Sequence, residues 1–104
     1  MHMIGLGKWE APINTMVYRG TGYMTISDVN GEYDFRFELT GQQLPEIRVS
    51  EIAEDGNTLT AVGECDLLKG KKIPVSITFD GDTFTGTIKA PLVGKIKLSG
   101  NRIA

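Results

Sequence analysis

The chain has 104 residues, 40% of them apolar and 23% charged, with a formal net charge of −2. That describes a single globular domain over residues 1–104 with one core, residues 1–7 being read as a flexible start. No stretch approaches the ~18 apolar residues of a membrane helix, and one cysteine, Cys65, excludes an internal disulfide.

Between turn signals lie runs of β-branched and aromatic residues with a period of two, so every element is predicted to be a strand. The strands are read over 8–17, 22–29, 32–39, 46–53, 58–66, 72–79, 83–90 and 94–102. In "ISDVNGEYDFRF" an Asn30-Gly31 loop suits a type I′ turn and pairs Met24 with Phe37 and Ile26 with Phe35. In "SEIAEDGNTLTAVGEC" a three-residue Asp55-Gly56-Asn57 loop aligns Val49 with Gly63 and Ile47 with Cys65. That register turns Glu51 inward unless a bulge near Ser50 returns the carboxylate to solvent, which the cost of an unpaired buried charge favours. In "ITFDGDTF" an Asp80-Gly81 loop pairs Phe79 with Asp82, Ile77 with Phe84, Val75 with Gly86 and Ile73 with Ile88. Along the last strand, alternation places Lys95 and Lys97 outside and Ile96 and Leu98 inside.

One face of these strands is apolar and the other is Thr, Lys, Glu and Asp. The expected fold is therefore all-β, an eight-stranded antiparallel up-and-down barrel whose closure removes exposed edges. A two-sheet sandwich is disfavoured because every connection is short.

Gly7-x-Trp9 on the first strand and Arg102 late on the last resemble the calycin superfamily of lipocalins, fatty-acid-binding proteins and avidins. The resemblance implies a barrel whose closed end is sealed by Trp9 against Arg102, a favourable cation–π contact. Gly7, Trp9 and Arg102 would then be structural. The chain departs from those families in length and lacks their lid loop or helical cap.

Strand polarity places the tight turns at the Trp9 end and the longer, more apolar loops at the other. Leu44, Leu67, Leu68, Leu92 and Val93 would ring an open mouth, with Arg19, Lys69, Lys71, Lys72 and Lys95 nearby. These apolar loops either plug the barrel or form an entrance for an apolar or amphipathic small molecule, with Lys69, Lys71 and Lys72 receiving an acidic head group. Gly63 and Gly86 would leave room inside. Tyr33, Asp28 and Glu51 are the inward polar candidates and fall near the closed end.

Residues 1 to 66 carry 4 basic and 11 acidic side chains, whereas residues 67 to 104 carry 7 basic and 2 acidic. Such a division allows a weak homodimer through complementary faces. With His2 the only histidine and Cys65 the only cysteine, no catalytic residue set, metal site or cofactor is expected. The basic face lacks outward aromatics, which argues against nucleic acid. The expectation is a lipocalin-like binding protein that is not an enzyme, the alternative being an interaction module with a plugged core. The absence of a signal-peptide pattern favours the cytoplasm, a secreted or periplasmic placement requiring a leader ahead of "MHM".

Overall fold

The computed structural model describes residues 3–15, 18–65, 71–90 and 94–104. The strands are β1 (Gly7–Asn14), β2 (Arg19–Val29), β3 (Glu32–Leu39), β4 (Arg48–Asp55), β5 (Thr58–Glu64), β6 (Ile73–Asp80), β7 (Thr83–Ala90) and β8 (Gly94–Arg102). They form one antiparallel sheet in the order β3-β2-β1-β8-β7-β6-β5-β4. Each strand pairs with its sequence neighbours, and β1 pairs with β8, so the meander curls into a nearly closed barrel. The exception is β3 and β4, which end the sheet and leave a seam between them.

Turn chemistry decides the registers. At Asn30-Gly31 both residues have positive φ, 55° and 84°, and the Asp28 carboxylate accepts from the Gly31 N–H at 2.8 Å. This type I′ turn sets Met24 opposite Phe37 and Ile26 opposite Phe35, as expected. The β6–β7 hairpin corrects the expected pairing. Its loop is Gly81-Asp82, with positive φ only at Gly81 (61°), the pattern of a type II′ turn. Phe79 therefore opposes Phe84, Ile77 opposes Gly86 and Val75 opposes Ile88. Sliding the pairing by two residues keeps every side chain on its face, so alternation could not distinguish the two registers.

The β4–β5 hairpin also has a two-residue loop, Gly56-Asn57, closed by Asp55 opposite Thr58, in place of the expected three-residue loop. A bulge between Ser50 and Ala53 restores the expected Val49–Gly63 pair. Glu51 takes positive φ there (52°) and points to solvent, bonded to Lys72 at 3.4 Å. Ile52 packs inward in its place. The bulge thus keeps the charge out of the core. Cys65 is buried and free.

The Trp9 end is densely packed. Trp9, Ile26 and Leu59 are at most 2% exposed, with Met24, Ile77, Phe79 and Phe84 buried around them. The indole lies 4.9 Å from the Phe79 ring and edge-on to Phe84 at 5.7 Å. The Arg102 guanidinium sits 4.4 Å over the indole, and the indole N–H donates to the Gly5 carbonyl at 2.9 Å. Arg102 also bonds Asp82 at 3.1 Å and the Leu6 carbonyl. Gly7 is required here, since its φ is 132° and a Cβ would collide with the Arg102 guanidinium.

The opposite end is looser. The β1–β8 ladder pairs only Trp9 with Arg102 and Glu10 with Asn101. Pro12, which has no N–H to offer, lies just beyond those pairs. Lys95 and Lys97 are exposed and Ile96 and Leu98 face inward, so the β8 register stands as expected; yet both apolar residues are only half-buried. That incomplete burial recurs along the inward face of the open half, at Ile13, Phe37, Ile47, Val49, Ile73 and Val75.

Candidate functional site

The half-buried residues surround an internal cavity of about 300 Å³. Trp9 and Phe84 line its floor, Ala61, Gly63 and Gly86 one wall, and Phe37, Leu39, Leu44 and Ile47 the region toward the mouth. Two wall positions are narrow because glycine supplies no side chain. A Cβ on Gly63 would make ordinary contacts, 3.5 Å to Ile47 and 3.8 Å to the Ile73 carbonyl. One on Gly86 would crowd the Ser76 carbonyl at 3.3 Å. Both glycines line the cavity.

The seam forms the remaining side. Phe35 and Phe37 of β3, Val49 of β4 and Ile47 just before it reach the cavity from either edge. On β3 the rings of Tyr33, Phe35 and Phe37 stand in a row, with centroids 5.9 Å and 6.3 Å apart and the last two rings within 8° of parallel. No backbone ladder joins β3 to β4, but a side-chain tie holds them at the floor. The Tyr33 hydroxyl donates to the Glu54 carboxylate at 2.5 Å and accepts from the Ile4 N–H at 2.8 Å. The floor end of the seam is thereby latched.

Burial and the Glu54 carboxylate hold the Tyr33 phenol above its ordinary value of 10.0, while the Ile4 N–H pulls the other way. A folded-state value above the unfolded one favours folding while the phenol is neutral. That stabilisation is complete below the unfolded pKa and is lost as pH rises through the folded one. Tyr33→Phe is expected to cost about 1 kcal/mol at neutral pH, with the gap to wild type narrowing in alkaline denaturation titrations. A gap that stays constant into strong alkali would show that the phenol–carboxylate bond does not tie the seam.

The sequence-derived site is assembled only in part. Lys71 and Lys72 are exposed just before β6, do not line the cavity, and Lys72 is bonded to Glu51. Leu67, Leu68, Lys69, Leu92 and Val93 lie outside the described residues. Of the inward polar candidates, Asp28 caps a turn, Tyr33 latches the seam and Glu51 faces solvent. Among the described residues no polar or charged side chain is buried, and no group of His, Cys, Asp and Glu is placed to hold a metal ion. The residues missed from sequence are Glu54 and Ile13. Glu54 reads as a turn-proximal surface carboxylate until its partner across the seam is known.

Comparison with protein-family models, with curated proteins and with solved structures gave no match.

Proposed function

We propose that this barrel binds a single-chain apolar or amphipathic small molecule in the cavity of its open half, in the manner of a small calycin. The observation that carries the reading is the cavity itself, about 300 Å³ and walled mainly by apolar side chains and glycine, with Tyr23, Glu38 and Thr87 also bordering it. A wall of that kind recognises hydrocarbon and offers few orienting hydrogen bonds, so a polar head remains at the mouth or seam.

Volume sets the ligand's size. At roughly 30 Å³ per water-sized group, the space accepts a chain of about ten carbons. Each buried methylene contributes about 0.8 kcal/mol, so affinity should rise about fourfold per carbon until the cavity is full. The gross gain of about 8 kcal/mol corresponds to a micromolar Kd at best, before ordering costs are subtracted.

The test is thermal unfolding in the presence of a homologous series of fatty acids and the matching alcohols. A ligand that binds only the folded chain raises Tm with its concentration. The expected result is a shift that grows with chain length and levels off near ten carbons, in both series. Replacing Lys69, Lys71 and Lys72 with Glu should weaken the acids more than the alcohols, since only the acids gain from the cations. No shift with any member of either series would overturn the reading.

A further inference from the structure

The outer face of β5 to β8 carries an arrangement that the cavity does not use. Thr60 opposes Ser76, Ser76 opposes Thr87, and Thr87 opposes Lys97, forming one continuous row across four strands. Adjacent to that row, Lys89 directly opposes Lys95. Like charges directly opposed across a strand pair are destabilising, so the fold carries this pair at a cost. Acidic neighbours do not relieve it. The ion pairs among the described residues join Arg36 to Asp34, Lys72 to Glu51 and Arg102 to Asp82, and Lys89, Lys95 and Lys97 belong to none of them.

The surface here is concave. Thr60, Ser76, Thr87, Lys89 and Lys95 line a shallow depression on the outside of the barrel. Glu51 also lines the depression, its carboxylate held by Lys72 at 3.4 Å. The Thr60, Ser76 and Thr87 hydroxyls bond no other protein group among the described residues, so each keeps a donor to offer. Strands lie about 4.8 Å apart, which brings neighbouring members of the row within reach of one tetrahedral oxyanion. Lysine is a point-charge phosphate ligand, and hydroxyl donors supply the directed bonds.

We propose that this depression is a phosphate-binding site, with Lys89 and Lys95 supplying charge and Thr60, Ser76 and Thr87 supplying hydrogen bonds. The depression lies on the opposite face of the sheet from the cavity, and Ala61, Val75 and Thr87 border both. The phosphate belongs either to a small soluble molecule or to the head group of an anionic lipid, and the two sources are separable.

The experiment uses the whole chain in two arms. In the first, inorganic phosphate is titrated while backbone amide resonances are followed. In the second, the protein is sedimented with vesicles of phosphatidylcholine, with and without phosphatidylglycerol. Saturable shifts at Thr60, Ser76, Thr87 and Lys95 without vesicle binding assign a soluble phosphate. Sedimentation with the phosphatidylglycerol vesicles alone assigns a lipid head group.

In either case Lys89→Gln/Lys95→Gln should weaken binding about 25-fold, at roughly fivefold per lysine near an anionic surface. The same variant should melt no lower than wild type, because it removes the opposed charges. A binding loss accompanied by a fall in Tm would assign the lysines to structure and overturn the proposal. Neither resonance shifts nor vesicle binding would overturn it too, as would binding undiminished in the double variant.

Discussion

Trp9→Ala is expected to destabilise the fold by about 3–5 kcal/mol, the range for truncating a buried aromatic side chain. The indole is fully buried and touches both Phe79 and Phe84. Its removal opens the floor directly beneath an existing cavity, where the surrounding strands have little means of collapsing. The Arg102 guanidinium would lose the ring it covers, and the Gly5 carbonyl its indole donor. Denaturant titration gives the measurement, with a lower midpoint at an unchanged slope marking a change in stability alone. A loss under about 1 kcal/mol would mean that the remaining aromatics seal the end without the indole.

Gly63→Leu is expected to reduce binding of a ten-carbon amphiphile by about a hundredfold while the barrel stays folded. Gly63 is buried on β5, lines the cavity, and its backbone accepts a Cβ at ordinary contact distances. A leucine side chain adds four carbons, about 120 Å³ at ~30 Å³ each, and excludes about four carbons of ligand. At about 0.8 kcal/mol for each methylene excluded, the loss is about 3 kcal/mol of binding. Filling unoccupied space also adds packing contacts, so the melting temperature without ligand should hold or rise. Gly86→Leu serves less well, because the Ser76 carbonyl lies only 3.3 Å from its Cβ position. Retained affinity in a folded Gly63→Leu protein would place the ligand elsewhere.

Which face each side chain takes was legible because period-two alternation survives a register slip of two residues. Phe79, Phe84, Ile77 and Gly86 face inward as alternation requires, although their partners differ from those an Asp80-Gly81 loop implies. The partners depended on which residue of "DGD" takes positive φ, and the turn chemistry of that tripeptide allows more than one loop. The bulge at Glu51 was legible from energetics alone, since a carboxylate facing the core demands an escape.

The seam was not legible. The link from Leu39 to Arg48 contains Gly41 and Pro45, yet a link of similar length from Glu64 to Ile73 joins strands that do pair. Length therefore cannot separate the cases, and the Tyr33–Glu54 tie spans 21 residues with no local pattern. The cavity was legible only as two glycines. Its volume depends on how far the open half splays, which follows from the short β1–β8 ladder and the missing β3–β4 ladder.

Trp9 is the only tryptophan in the chain and lies at the cavity floor, so its fluorescence reports directly on what enters. The decisive measurement is a titration with a medium-chain fatty acid brominated at its terminal carbon, bromine being a contact quencher of indole emission. A chain inserted tail-first should quench Trp9 saturably, and the unbrominated acid should compete the quenching away. Emission unchanged up to millimolar acid would contradict a ligand-accepting cavity above the Trp9 floor.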